Sequence, residues 1–139
     1  MAIAMFAIKT HLADKRAVRS AFAGQKTMYG GKRIAAGDAI FVFASENSGG
    51  AGLAAKGVVR AVAQVPKKQG VERQTPRVSV VVERTAVARR PLGRRELRGF
   101  CDWNDGRPET ELNFKLYRQA TDKIVGISAD TARFLDGFF

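Results

Sequence analysis

The sequence predicts an α+β fold in which mostly antiparallel strands curl into a small barrel with a few peripheral helices. The first observation is the stretch 34–65, where a strand, a glycine-rich loop and a returning strand follow a turn at Gly37-Asp38. Odd positions across 53–65 are small or apolar while the even ones include basic residues, as in a strand with one buried face. The other observations are β-branched residues dense in 77–87 and a helical apolar spacing after residue 128.

The N-terminal third is predicted to contain a strand, a short helix and a loop. Residues 2–9 are apolar on both alternations, which favours a strand buried on both faces. Residues 12–22 contain good helix formers, and we expect a short helix there that begins at Thr10 or Asp14. Residues 24–33 combine three glycines with cations and are predicted to be a loop.

Loops and short elements complete the chain. Residues 45–52 are too rich in Ser, Asn and Gly to pack, and we expect a loop that could hold a ligand on a rigid hairpin. Residues 66–76 form a polar loop, and 100–113 are a turn-forming segment. A short strand is predicted at 123–128, with Ser128 capping a final amphipathic helix.

Composition excludes several classes of protein. A chain of 139 residues fits a single domain, 1–139, with enough hydrophobic residues for a core. No apolar run reaches the roughly 18 residues of a membrane span, and the first residues do not resemble a signal peptide, so a cytoplasmic protein is expected. Cys101 and His11 are the single cysteine and histidine, which leaves no ligand set for zinc and makes a Cys-His enzyme unexpected. We predict no metal and no cofactor.

The net charge of +11 is concentrated in the middle of the chain. Residues 56–98 carry twelve basic and three acidic residues, a charge of +9, whereas 1–55 carry +4 and 99–139 carry −2. Such asymmetry favours a polyanionic partner over a generally soluble basic surface. Nucleic acid, either DNA or RNA, is the predicted partner. Solvated basic loops are the alternative explanation.

Side chains able to contact phosphate lie in two segments. The loop 24–33 offers ammonium groups, flexible backbone and the ring of Tyr29 for stacking. The segment 88–99 is rich in arginine, whose guanidinium groups bind phosphate in a bidentate manner. The predicted phosphate-binding residues are Lys26, Lys32, Arg33, Arg89, Arg90, Arg94 and Arg95.

Two further features are candidate parts of a site. Lys9, Thr10 and His11 follow the first strand, and polar groups at strand ends can project into a cleft. Trp103 lies in a turn-forming segment, where it is either a lid packed on the core or a stacking wall for a ligand.

Several of these segments together resemble the PUA-like superfamily, and within it the EVE domains, which are relatives of YTH and ASCH domains. The resemblance rests on the strand ending at Lys9, the Gly37-Asp38 turn before IFVFAS, the return strand GLAAKGVVRAVAQV and the ending LYRQATDKIVGISADTARFL. It implies a pseudo-barrel with a pocket for a single base, often modified, that is flipped out of DNA or RNA.

Carried over by position, the resemblance also implies which residues line that pocket. EVE domains typically place a tryptophan near Met28-Tyr29, so either Tyr29 substitutes for it or Trp103 reaches in from elsewhere. The implied base-pocket residues are Lys9, Thr10, Tyr29, Gly30, Gly31, Ser45, Asn47 and Trp103.

The predicted function is therefore a nucleic-acid-binding module that holds one flipped base beside a basic, phosphate-binding surface. The alternative is an ASCH-like amidohydrolase acting on acylated cytidine, because Gly24 to Thr27 resembles the Gly-x-Lys signature of that group. Such an enzyme would need Thr27 as nucleophile, Lys26 with a depressed pKa, and Glu46 or Glu83 within reach. The acid and the downstream threonine of the signature are absent, which favours the binding module without catalytic residues.

Overall fold

The computed structural model describes residues 5–70 and 74–139. Residues 2–4 of the first predicted strand and residues 71–73 of the predicted loop 66–76 lie outside this part. The described chain forms a closed six-stranded barrel with the strand order β1-β3-β4-β5-β2-β6. The strands are β1 (Met5–Thr10), β2 (Arg19–Met28), β3 (Ala39–Ala44), β4 (Gly52–Gln64), β5 (Arg77–Val87) and β6 (Lys123–Ile127). This confirms the predicted α+β pseudo-barrel.

Most neighbouring strands in the barrel are antiparallel, as predicted. The exceptions are β1 with β3 and β2 with β6, which pair in parallel. The parallel pair β1–β3 brings the ends of both strands, at Thr10 and Ala44, to the same rim of the barrel. Strand β6 lies between β1 and β2 and closes the barrel, so no edge remains open.

Two hydrophobic clusters explain why β1 is apolar on both alternations. Phe6 and Ile8 point into the barrel, and Ala7 points outward under the helices. The first cluster fills the barrel interior. The second holds the helices against the barrel wall, with Leu112, Leu116 and Leu135 among its buried members.

The helices are α1 (Arg94–Leu97), α2 (Pro108–Leu112), a π-helical turn at Asn113–Tyr117 that continues α2, and α3 (Ala129–Asp136). Short 3₁₀ turns occur at Gly31–Arg33 and Glu46–Ser48. The predicted cap of α3 is confirmed, because the backbone N–H of Thr131 donates to Ser128 Oγ at 3.2 Å. No helix in residues 5–70 and 74–139 is long and apolar enough to span a membrane.

The helix predicted for residues 12–22 is wrong. The chain makes a turn at Asp14, whose carboxylate accepts the N–H of Arg16 at 2.9 Å, and then enters β2 at Arg19. Strand β2 pairs with both β5 and β6, and Phe22 fills the barrel interior. These long-range contacts outweigh the local helix propensity, since without β2 the barrel could not close.

Two other predictions also need correction. Residues 24–33 were predicted as a loop, but β2 continues to Met28 and only the part after it turns. In β4 the odd positions are buried up to Val59, whereas Ala61 and Ala63 are exposed. A β-bulge between Val59 and Ala61 adds one residue and so exchanges the two faces of the strand.

Candidate functional site

Three of the predicted base-pocket residues meet at one rim of the barrel. Ser45 follows β3, and its backbone N–H donates to the carbonyl of Thr10 at 2.8 Å. Lys9, Thr10 and Ser45 are all buried, with 1%, 3% and 2% of their surface exposed. The Lys9 ammonium lies 5.1 Å from the centre of the Tyr117 ring. Parallel pairing of β1 and β3 thus produces this group from residues 35 positions apart.

Glu46 fixes the loop that follows Ser45. Its carboxylate accepts the Tyr117 hydroxyl at 3.1 Å and the backbone N–H of Arg94 at 2.6 Å. The predicted pocket residue Asn47 accepts the Arg94 guanidinium at 2.9 Å. Burial, and then the Glu46 carboxylate, raise the pKa of Tyr117 far above its ordinary value, so this phenol remains a hydrogen-bond donor. The loop is therefore held to α1 and to the π-helical turn.

The two aromatic residues predicted for the base pocket, Tyr29 and Trp103, lie elsewhere, and both contact Phe114. We call Tyr29, Phe114, Trp103 and Arg118 the aromatic cluster. The Phe114 ring lies between the other two rings, 5.9 Å from Tyr29 and 5.3 Å from Trp103. The Arg118 guanidinium is 3.5 Å from the centre of the Phe114 ring and donates to the Tyr29 hydroxyl at 3.3 Å. Tyr29 and Trp103 remain 38% and 43% exposed. The cluster thus presents aromatic surface to solvent.

Backbone contacts hold Tyr29 in an unusual conformation. Its φ of 52° is the only positive value among the non-glycine residues that the structure describes. Its carbonyl accepts the N–H of Gly126 at 3.2 Å, and a Cβ on Gly126 would lie 2.5 Å from that oxygen. A Cβ on Gly31 would lie 2.2 Å from the carbonyl oxygen of Ile124. The turn can approach β6 this closely because glycine occupies these positions.

The structure does not bring Tyr29 next to Thr10. Their separation can be followed through strand β6. The N–H of Gly126 in β6 donates to the carbonyl of Tyr29, and Gly126 also pairs with Phe6 in β1. Thr10 lies four residues beyond Phe6, or roughly 13 Å along the strand. The base-pocket residues predicted from the resemblance therefore form two groups on one side of the barrel, not one.

Open cavities flank the aromatic cluster on two sides. One, of about 400 Å³, is lined by Tyr29, Gly30, Arg33, Lys115 and Ser128, among others. The second, of about 210 Å³, is lined by Trp103, Phe114 and residues of α2. The first has the volume of a small-ligand site and carries both apolar and hydrogen-bonding groups.

A row of three lysines begins at Lys9 and crosses three neighbouring strands of the barrel. Lys123 pairs with Lys9 in β1 and with Lys26 in β2, so the three side chains project from the same face of the barrel. Burial, and then the cations Lys9, Arg118 and Lys26, lower the pKa of Lys123 to about 8. Burial, and then Arg94, lower the pKa of Lys9 as well. We call Lys9, Lys26 and Lys123 the lysine row.

Lys123, Phe114 and Arg118 were not among the predicted site residues. The alternation in 123–128 does place Lys123 on the face of Val125, which is buried, and a lysine at such a position is a signal that the sequence contains. For Phe114 and Arg118 the sequence holds no comparable signal, because their roles depend on rings that come from distant segments.

Two of the predicted phosphate-binding arginines are engaged within the protein. Arg89 donates to the carbonyl of Phe139, and Arg90 donates to the carbonyl of Gly137 at 2.9 Å. The Arg90 guanidinium also lies 4.3 Å from the centre of the Phe138 ring. Both side chains therefore hold the end of α3 to β5, whatever further contacts they make.

The remaining predicted cations are exposed or half-buried. Lys32 and Arg33 are exposed on the 3₁₀ turn beside Tyr29. Arg94, Arg95 and Arg98 line an open cleft of about 500 Å³ next to the loop that follows β3. The side chains of Arg95 and Arg98 have no hydrogen-bond or ion-pair partner among the described residues. They are free to bind an anion.

The residues of the alternative amidohydrolase are dispersed. Lys26 and Thr27 are adjacent in β2 and so point to opposite faces, and the Thr27 hydroxyl donates to the carbonyl of Pro76 at 2.7 Å. Glu83 pairs with Arg19 at the start of β2, about 25 Å along the strand from Thr27. Glu46 binds Tyr117 instead. This structure does not assemble a nucleophile, a base and an acid from these side chains.

No group of three His, Cys, Asp or Glu side chains that could hold a metal occurs within residues 5–70 and 74–139. His11 and Cys101 are both exposed.

The closed mixed barrel with helices packed on one wall has a PUA-like pseudo-barrel fold. Its solved structural neighbours include human THYN1 protein in complex with DNA containing 5-methylcytosine, with a TM-score of 0.60 and 11% identity over 94% of each chain. The DUF55 domain of human thymocyte nuclear protein 1 has a TM-score of 0.59 and 12% identity, over 93% of this chain and 94% of that one. At these identities the likeness shows the fold. No protein-family model and no curated protein matches the sequence.

Proposed function

We propose that the protein is a nucleic-acid-binding module that holds a single flipped base, modified or unmodified, against the aromatic cluster. The observation that carries the proposal is the pair of exposed rings, Tyr29 and Trp103, packed on Phe114 and linked by Arg118. Each ring offers a face for stacking, and both border open cavities.

The conformation of Tyr29 supports a binding role. A left-handed backbone costs roughly 1–2 kcal/mol for a residue with a Cβ, and glycine would adopt it without that cost. The ring remains partly exposed, and its contact with Phe114 offsets this cost without a net gain in stability. Strain of this kind is typical of sites where a side chain must be presented in one orientation.

The charges around the cavity beside Tyr29 suit a nucleotide. Arg33 lines the cavity and Lys32 precedes it on the same exposed turn, where both can reach phosphate oxygens. Lys115, Ser128 and Glu111 line the same cavity, and the hydrogen bonds of Lys115 and Ser128 to the Glu111 carboxylate fix its polar wall. The net charge of +11 adds long-range attraction for a polyanion.

The structural neighbours indicate which nucleic acid to test first. One of them was solved with DNA containing 5-methylcytosine, and the fold here covers nearly the whole of that chain. We therefore propose duplex DNA with a single modified cytosine as the first ligand, with single-stranded DNA and RNA as competitors.

The test combines affinity with a report of base flipping. Short duplexes that differ only in one cytosine or 5-methylcytosine would be titrated by fluorescence anisotropy, with 2-aminopurine beside the modified position. We expect binding at low salt and a rise in 2-aminopurine emission, because removal of a neighbour from the stack relieves its quenching. Binding without any change in emission would leave a nucleic-acid-binding protein but would exclude the flipped base.

A further inference from the structure

The Lys123 side chain is almost entirely covered, and no carboxylate in the described part of the chain forms an ion pair with it. Only 1% of the residue is exposed, yet its Nζ makes no hydrogen bond or ion pair with any residue in the described part of the chain. The Thr121 hydroxyl, two residues earlier, is also buried without a partner. A buried hydroxyl without a partner is costly, so Thr121, two residues before the unpaired cation of Lys123, marks a place where an anionic partner would be stabilised.

The charges that face Lys123 are all positive. Lys9 projects from β1, Lys26 from β2 and Arg118 from the segment that follows the π-helical turn. The acidic groups near the row, Glu46 and Asp122, act on Lys9. Glu46 is already bound by Tyr117 and Arg94, so its charge is partly used. The positive potential is therefore concentrated at Lys123.

We propose that Lys9 and Lys123 bind a phosphate group, and that this phosphate belongs to the nucleotide whose base stacks on the aromatic cluster. The assignment rests on the proposed function. The two ammonium groups can donate to the two non-bridging oxygens of one backbone phosphate, and the unpartnered Thr121 hydroxyl is a further donor on the same segment as Lys123. Arg118 connects the two places, because it contacts Phe114 and Tyr29 and its charge also lowers the pKa of Lys123.

Weak contacts cover the lysine pair. The Lys9 ammonium donates to the carbonyl of Gln119 at 3.5 Å, and the Thr10 hydroxyl donates to Asp122 at 3.4 Å. Both distances are at the long limit for hydrogen bonds. The residues that make them, in the segment 118–122, are mostly exposed. A phosphate would displace these two contacts and replace them with shorter, charge-assisted ones.

The first measurement is the pKa of Lys123, which is determined by NMR of the lysine side-chain nitrogen. The probes are inorganic phosphate, cytidine monophosphate and cytidine without phosphate. A bound phosphate favours the charged amine, so the pKa should rise from about 8 toward its ordinary value of 10.5 with cytidine monophosphate. Cytidine should leave it unchanged. A response to inorganic phosphate equal to that of the nucleotide would overturn the assignment to a nucleotide and leave a general anion site.

The second measurement uses the variant Lys123→Met, with Lys67→Met as a matched control in an exposed loop. The parent should bind cytidine monophosphate at least about tenfold more tightly than cytidine, and Lys123→Met should abolish this preference. The variant should also raise the melting temperature in phosphate-free buffer, because it removes a buried charge among like charges. A purely structural lysine predicts the opposite sign. If Lys123→Met does not fold, which opposes the proposal, Lys9→Met supplies the same comparison.

The outcomes separate this inference from the proposed function. Oligonucleotides that bind normally, with a pKa of Lys123 that responds to none of the probes, would refute the phosphate site and leave the binding module intact. A response of Lys123 to the nucleotide, with no binding of oligonucleotides, would refute the proposed function instead.

Discussion

Replacing Tyr29 tests the stacking site most directly, because the structure separates its effect on binding from its effect on stability. Stacking of one base on an aromatic side chain contributes about 1–3 kcal/mol, so Tyr29→Ala should weaken binding of a modified nucleotide by roughly 5- to 150-fold. We expect at least a tenfold loss. The loss should persist at high salt, where phosphate contacts are screened but stacking is not.

The stability of the same position is set by two opposing contributions. The contact with the Phe114 ring stabilises the parent by about 0.5–1.5 kcal/mol. The left-handed backbone at φ 52° costs a similar amount in any residue with a Cβ. Tyr29→Gly removes both and should unfold in urea close to the parent. Tyr29→Ala keeps the strain and should be about 1 kcal/mol less stable than Tyr29→Gly.

The assay is fluorescence anisotropy at low and high salt, combined with urea unfolding of each variant. Val87→Ala is the control, since Val87 is exposed to a similar extent, at 56%, and does not belong to the aromatic cluster. Trp103→Ala should weaken binding in the same salt-independent way. If Tyr29→Gly and Trp103→Ala both fold and bind like the parent, the base does not stack on the aromatic cluster.

Three further predictions concern salt, pH and catalysis. Affinity for duplex DNA should fall steeply with salt. The double variant Arg95→Gln, Arg98→Gln should reduce the slope of log K against log salt by up to about 1.8, since each phosphate contact contributes about 0.9. An unchanged slope would show that these two side chains do not contact phosphate. Burial alone would raise the pKa of Glu111, but hydrogen bonds from Ser128 and neighbouring groups lower this pKa below its ordinary value of 4.5. The ionised carboxylate therefore stabilises the fold above pH 4.5, and this stabilisation is lost as the pH falls through the lower pKa of the folded state. Unfolding in urea from pH 6 to pH 3, roughly, should show Glu111→Gln less stable at the upper end and less dependent on pH than the parent. Acylated cytidine should remain intact after incubation with the protein, as followed by chromatography, and turnover that Lys26→Ala abolishes would favour the amidohydrolase.

Local sequence patterns predicted those elements in which the local conformational preference is the same as the conformation that the tertiary contacts require. The apolar strand β3, the β-branched residues of β5, the loop 45–52 and the Ser128 cap of α3 were all evident from the sequence, because each leaves a compositional or chemical mark within a few residues. The resemblance to PUA-like domains extended these marks to the whole barrel, and the fold confirms it. The same local reasoning failed for β2, where pairing with β5 and β6 decided the conformation.

The helical part before β6 shows the same limit. Turn-forming residues at 100–107 concealed α2 and the π-helical turn, which are stabilised by Leu112 and Leu116 packing on the barrel wall. Most helical stability comes from such packing and not from propensity. A sequence without its tertiary contacts therefore gives a weak signal for short helices.

For the site, the sequence by itself determined which aromatic and basic side chains are available, and the tertiary structure determined where they lie relative to one another. The basic middle segment and the two aromatic residues in loops, Tyr29 and Trp103, were evident from composition and position. That they meet on Phe114, and that Lys9, Lys26 and Lys123 stand in one row, depends on the register of strands far apart in the chain. Register is set by closure of the whole barrel, so a shift of one residue would turn these side chains to the other face. No local pattern contains that information.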